Sequence, residues 1–530
     1  MSHKKVTFML LLIVLLSILS HSVAATSNIT EKMNIIIVAD LNQTAGKDLL
    51  SQVDTDRLDI KSGPFFKVTW SPDSSRMLIH TLVGICPKGK GDTQSSFVSA
   101  LYETNRDGSG MTRIAWAEFT SSSGGNDITA PAWSQSGDYF TYVELLRGRM
   151  YSIRASPLFL MSDELQYIQK IELDSRMTGL ENDPDNYEWS PAGDKLAVIV
   201  PGKLMVYDLE ENLNLSLDIT GNKFNIEDLE WSPDGQKIVF IQNGLILVIF
   251  DVESGVSQQI DSESADSIGL YRFAKWSPDS EKLVFYKMRT AGKPEPDFDV
   301  YIMDESAQEP LKIATLYSGV SGVKQWYHDS DKLLIKNYSE GKSTLYLVSI
   351  MGDKSELASG SEELDGVISP DGHIFTIRQN ASSGAYDVSS LVGFDRQIIM
   401  DVTQWAWIEN DLLFATNDGV SILNTSTNDI QDVLHLPKSP SIISFDTSGH
   451  FISIDNYVVE IGGQGKDVDV FAVNDSNHYE VTVLKKQVDG QPEANTNAEP
   501  SEIPGFTTCF AFMGLLFAFF IIYQKSRGER

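Results

Sequence analysis

Carboxylates at short spacing are the most frequent candidates for chemistry in this sequence: Asp54-Thr-Asp56, Asp183-Pro-Asp185, Asp297-Phe-Asp299 and the group Asp261, Glu263 and Asp266. Hard cations such as calcium accept oxygen ligands of this kind, although none of the four matches an EF-hand loop. Calcium is therefore the one cofactor that the residues suggest, and such pairs also arise by chance in so acidic a chain. His80, His328, His373, His435, His450 and His478 include no His-Glu-x-x-His or other paired spacing for zinc. His328, His373 and His450 fall in or beside turns, where solvated loop residues are expected; His80, after a strand, is placed at a rim. Of the two cysteines, Cys509 lies in an apolar run, so one chain can assemble neither a disulfide framework nor a Cys-ligated metal site. Cys86, in Gly84-Ile-Cys-Pro-Lys-Gly-Lys-Gly91, lacks the Gly-Lys-Ser/Thr ending of a phosphate-binding loop and reads as a lone loop thiol. No catalytic residue stands out.

The elements that carry these residues must be numerous, because 530 residues exceed one ordinary domain. A hydrophobic fraction of 42% with 10% aromatics supplies a sizeable core. Lys+Arg total 42 against Asp+Glu 73, a net charge of -31, which excludes nucleic acid as the main partner and disfavours anionic lipid surfaces.

One motif recurs: Trp70-Ser-Pro-Asp73, Trp133-Ser-Gln-Ser-Gly137, Trp189-Ser-Pro-Ala-Gly193, Trp231-Ser-Pro-Asp-Gly235 and Trp276-Ser-Pro-Asp279. Weaker copies begin at Trp326, Ile368, Trp407 and Phe445, and successive copies lie 38 to 63 residues apart. β-Rich runs such as Lys195-Leu-Ala-Val198, Lys237-Ile-Val-Phe240 and Lys282-Leu-Val-Phe285 follow the turns. Pro72 and Pro233 fix φ early in the turn, while Asp73, Asp234 and Gly235 supply side-chain hydrogen bonding and positive φ, so the motif reverses the chain between antiparallel strands. One tryptophan per repeat suits a wedge between successive sheets. Strands with apolar residues in succession suit blades covered on both faces. The expected fold is an all-β propeller.

The Trp-Ser-Pro-Asp-Gly copies with their trailing Lys and β-run resemble the TolB-type, WD-repeat-like β-propeller family, across roughly residues 34–486. Nine motif positions exceed the usual range of blades, so one copy is taken as degenerate and eight blades are expected, with seven as the next choice. Residues 34–38 are expected to close the ring by pairing with strands near 468–473 or 479–484. Some propellers of this type precede a serine-peptidase domain. Here no Gly-x-Ser-x-Gly elbow follows the last repeat, and the roughly 40 residues after Phe445 are too few for such a domain.

Both ends read as targeting signals. Lys4 and Lys5, the apolar run 9–19 and Val23-Ala24-Ala25 form a secretory signal, residues 1–25. The propeller body, 26–486, is followed by a polar stalk, 487–503, a hydrophobic anchor, 504–524, and a basic cytoplasmic tail, 525–530. Pro504-Gly505-Phe506 ahead of that single apolar segment resembles the archaeal PGF-type sorting signal, which implies an archaeosortase-type processing enzyme and a lipid in place of the tail. The body is thus expected on the extracellular side of the plasma membrane, anchored by its C-terminus. Sequons at Asn28, Asn42, Asn214, Asn337, Asn380, Asn424 and Asn474 are candidate glycan acceptors.

The longer first and second repeats, at residues 86–94 and 121–127, are insertions and form the candidate recognition surface. The expected function is a binding or scaffolding module for envelope proteins or polysaccharide. The alternatives are a propeller enzyme of lyase or lactonase type, with a carboxylate or calcium site at the central channel, and a structural cell-coat component.

Overall fold

The computed structural model describes residues 35–482 apart from 89–95, 121–123, 148–152, 156, 174–186, 201, 212, 220–225, 243–245, 261–270, 289–296, 305–309, 318–320, 361–363, 380–385, 391–397, 428, 437–442, 447, 456, 462–469 and 474–478. The proposed signal, stalk and anchor lie outside the described residues, as do Asn28, Asn380, Asn474, His478, Asp183, Asp185, Asp261, Glu263 and Asp266. Among the described residues no helix is long and apolar enough to cross a membrane.

Nearly every described element is a strand; most strands form four-stranded antiparallel sheets, while the nine between Leu58 and Glu172 make one continuous sheet in which two such units are joined by the pairing of Thr120 with Gly124. Numbered along the chain, blade 1 spans 58–120, blade 2 124–172, blade 3 187–218, blade 4 226–260, blade 5 271–317, blade 6 322–360, blade 7 364–402 and blade 8 404–435. Blade 9 takes three strands from 443–461 and its outermost strand, Ile35–Asp40, from the start of the described chain. Each motif copy lies at or next to the end of the first strand of one such unit. The copies at Ile368, Trp407 and Phe445 lack the full motif yet still open a blade. Their second strands are buried over three or more residues in succession, as Leu412, Leu413 and Phe414 are, and the apolar part of that burial drives each sheet onto its neighbours.

The ring closes one hairpin earlier than expected. Ile35–Asp40 pairs antiparallel with Tyr457–Ile461, whereas Val470–Val473 and Tyr479–Thr482 pair with each other. Blade 9 then meets blade 1: Phe451 and Val458 pack with Phe66, Val68 and Trp70, and the Ser444 hydroxyl donates to the Val68 carbonyl at 3.3 Å. A sheet ring closed by strands from both chain ends is a β-propeller.

The motif works through its side chains. The Ser232 hydroxyl donates to Asp234 Oδ1 at 2.6 Å and accepts the Lys237 N–H at 2.9 Å, so one oxygen ties the turn to the next strand. Ser71 repeats this with Asp73 and the Arg76 N–H, at 2.7 and 2.9 Å. The tryptophans bridge blades: the indoles of Trp133, Trp231 and Trp326 donate to the carbonyls of Thr69, Glu188 and Lys275, each one residue before the motif position of the preceding blade.

Gly235 adopts φ +71°, and the copies without glycine place Ser74, Ser280 and Ser330 in the same left-handed region. Those serines are not mere substitutes. Ser280 Oγ accepts the Asp234 N–H of the preceding blade at 3.0 Å, and Ser330 Oγ accepts that of Asp279 at 3.1 Å. Ser280→Ala should therefore keep the strain and orphan the Asp234 N–H, lowering stability by about 1–2 kcal/mol in urea unfolding. Ser280→Gly, which relieves φ while losing the bond, should be close to neutral.

Candidate functional site

A cleft of about 770 Å³ lies where the outer part of blade 7 meets blade 8. Local backbone features shape it. The last strand of blade 7, Ile398–Val402, slips register against its partner, and Asp401 sits there at φ +58° with its N–H donated to Asp387 Oδ1 at 3.3 Å. In blade 8, Asn417 and Asp418 form the two-residue turn between Asp411–Thr416 and Gly419–Leu423. Gly419 is required at its position, because a Cβ there would lie 2.0 Å from the Leu434 carbonyl oxygen. A second register shift, between Val420 and Ser421, sets the Ser421 hydroxyl to donate to Asp432 Oδ1 at 2.9 Å.

The buried side chains of Ile399, Phe414 and Leu434 floor the cleft, while Asp401, Thr416, Asn417, Asp418, Asp432 and His435 surround it at partly or fully exposed positions. Among the described residues no Lys or Arg lines it. A concave site of this size with an apolar floor and a few convergent polar groups suits a small ligand or one unit of a polymer. Carboxylates, an amide and hydroxyls accept and donate to neutral hydroxyl-rich molecules, and three carboxylates with no Lys or Arg among the described lining residues disfavour anions. Two other clefts, of about 220 and 230 Å³, lie beside Trp276 and between Trp326 and Trp407.

On the innermost strands, one carboxyl is strongly perturbed. Burial pushes Glu188 up to about 7, opposed by the Trp231 N–H, which donates to its Oε2 at 3.0 Å, and by the Lys275 charge. Gln325 occupies the same place in blade 6, where its Oε1 accepts the Ile368 N–H at 3.0 Å. A neutral amide at the equivalent position marks this as a contact that joins blades.

Several sequence expectations fall differently. Cys86 is not in a loop: it is buried in the strand Arg76–Pro87. His80 lies within that strand rather than after it. Its Nε2 is buried with no hydrogen-bond partner, and burial holds its imidazole below the usual histidine range. His373 is half-buried with Nδ1 2.9 Å from Asp371, whereas His328 and His450 are exposed beside their turns. Asp54 pairs with Arg57 at 3.5 Å, and Asp299 with Lys312 at 2.8 Å. Among the described residues no group of three or more His, Cys, Asp or Glu could hold a metal ion.

Residues 89–94 and 121–123 of the two insertions lie outside the described residues; of the rest, Cys86, Pro87 and 124–127 are strand, and Asp127 is buried with Ser99 donating to it at 3.1 Å. The cleft residues, by contrast, were missed. Asn417-Asp-Gly419 between two β-runs was a hairpin signal that could have found the turn, but nothing local places Asp401 beside it.

No family model matches the chain, and no curated protein matches it in sequence. Among solved structures it is similar to the dipeptidyl peptidase 4 of Porphyromonas gingivalis at 11% identity and TM-score 0.43, covering 61% of this chain and 55% of that one. The chain thus spans about half the length of that peptidase. The C-terminal WD40 domain of Sif2 is 13% identical, with 76% and 99% of the two chains covered and TM-score 0.37. An oligogalacturonate lyase in complex with manganese is 12% identical, with 64% and 97% covered and TM-score 0.34. At this level the likenesses say nothing of activity or ligand, and the propeller fold rests on the sheet pattern and its closure.

Proposed function

We propose that this protein is a TolB-type propeller exported to the cell surface, held there by its C-terminal PGF-type anchor after archaeosortase-type processing. On this reading it serves as a binding module for envelope polysaccharide or the sugar-bearing surface of an envelope protein. The observation that carries the binding reading is the cleft between blades 7 and 8. It gathers Asp401, Asn417, Asp418, Asp432 and His435 around an apolar floor, with no Lys or Arg among the described lining residues. Neutral, hydroxyl-rich polymers fit that chemistry, and the net charge of -31 disfavours polyanions.

Thermal unfolding against neutral envelope polysaccharides, acidic polysaccharides, calcium and magnesium tests it. A ligand at 100 times its Kd adds about 2.7 kcal/mol to stability. Stabilisation is expected with a neutral polysaccharide and is expected to vanish in the Asp401→Ala/Asp432→Ala variant. Stabilisation by acidic polymers alone, or equal stabilisation of the variant, would count against the cleft. A response to calcium beyond that to magnesium would add a structural ion to the account.

A further inference from the structure

Resting on the export reading above and deepening it, we propose that Asn214, on the outer wall of blade 3, is the residue at which this protein carries an N-linked glycan. Four sequons fall among the described residues, and three have their asparagine or hydroxyl engaged. Asn42 begins the π-helical turn Asn42–Gly46, where Asn42 Oδ1 is only 3.3 Å from the place a Cβ on Gly46 would take. The hydroxyl of its Thr44 lies 3.4 Å from the Asp40 and Leu41 carbonyls. Asn337 is half-buried, and its Oδ1 accepts the Tyr317 N–H of the neighbouring blade at 3.0 Å. Asn424 organises its turn: Oδ1 accepts the N–H groups of Ser426 and Thr427 at 3.1 and 2.8 Å, and Nδ2 donates to Asp411 at 3.3 Å.

Asn214 differs on each count. It lies in Leu213–Asp218, the outermost strand of its sheet, where residues 214, 216 and 218 are exposed and share one face. The acceptor amide and the Ser216 hydroxyl of the sequon therefore project together into solvent, and among the described residues the Asn214 side chain makes no hydrogen bond. The open edge of this strand is also a hazard, because its unpaired backbone groups can pair with another chain. A glycan beside that edge blocks such pairing. In the transfer, Nδ2 bonds to the anomeric carbon of a sugar carried on a lipid phosphate or diphosphate. The carbon–oxygen bond to phosphate breaks, the lipid phosphate leaves with the electron pair, and the amide proton passes to a base of the transferase.

The test is peptide mass mapping of the full chain purified from its own host, with the N-terminus read in the same experiment. A glycan on the Asn214 peptide and unmodified Asn337 and Asn424 peptides are expected, and both Asn214→Gln and Ser216→Ala should abolish that modification. Both variants change exposed residues, so folding should be unaffected. A processed N-terminus near Thr26 with a bare Asn214, or with glycans at Asn337 or Asn424 instead, would overturn the assignment while leaving export intact. A chain still beginning at Met1 with every sequon bare would overturn both.

Discussion

Replacing Arg76 by alanine is expected to cost about 3 kcal/mol, among the largest losses from any single side chain outside the apolar core. Arg76 opens the second strand of blade 1, yet most of its contacts lie in blade 2. Nη1 donates to the Asp163 carbonyl at 2.7 Å, Nη2 donates to the Gly137 carbonyl and reaches Asp163 Oδ2, each at 3.2 Å, and the guanidinium lies 5.0 Å from the Trp133 ring centre. Within its own blade it faces the largely buried Glu103 at 3.8 Å, whose carboxyl burial pushes upward. Truncation would leave that carboxyl without its cation and two carbonyls without a donor, for which about 3 kcal/mol is the expected order after allowing for the 22% exposure of the arginine side chain. Arg76→Lys should recover less than half, because one ammonium cannot replace a fork that spans two carbonyls and a carboxylate. Urea unfolding of the three proteins checks this. A loss below about 0.5 kcal/mol would place Arg76 among ordinary surface residues.

The second large effect is a pH dependence set by Glu188. Its carboxyl is raised from 4.5 to about 7 in the fold. Between those values the folded chain holds a proton that the unfolded chain has released, so this residue's contribution is greatest below pH 4.5 and is lost as pH rises through 7. At about 1.4 kcal/mol per pH unit over this interval the loss is on the order of 3 kcal/mol. Glu188→Gln keeps an acceptor for the Trp231 N–H, as Gln325 does for Ile368, and removes the titration. The variant should match the parent near pH 5 and exceed it by about 2 kcal/mol at pH 8, as measured by denaturant unfolding at each pH. Parallel curves for the two proteins would show that Glu188 does not titrate in this range.

What the sequence revealed follows from how local each feature is. Trp, Ser, Pro and Asp act within five residues of one another, so the turn, the strand after it and the wedge between sheets were all legible from Trp231-Ser-Pro-Asp-Gly235. The later units were less so. Ile368 keeps the Ser-Pro-Asp-Gly turn but lacks the tryptophan, Trp407 and Phe445 lack the full turn chemistry, and their sheets form because strands such as Phe451–Ile454 are buried along their whole length. Closure by Ile35–Asp40 depends on pairing across more than four hundred residues, which no local pattern encodes. Neither does local pattern separate Arg76, which reaches into the next blade, from Lys195, which stays within its own with Asp194 and Asp208 at 2.5 and 3.1 Å. The cleft was invisible for the same reason: Asp401 and Asp432 meet across two blades through register slips that only the assembled sheets display.

The most direct test of the binding account is hydrogen exchange on the full chain with and without the neutral polysaccharide that stabilises it most. The account predicts added protection confined to 398–402, 414–421 and 430–436, the segments that line the cleft, and its loss in the Asp401→Ala/Asp432→Ala variant. Protection centred instead on the innermost strands around Glu188 and Lys275, or on the two insertions, would contradict it and move the binding site to the channel or to those insertions.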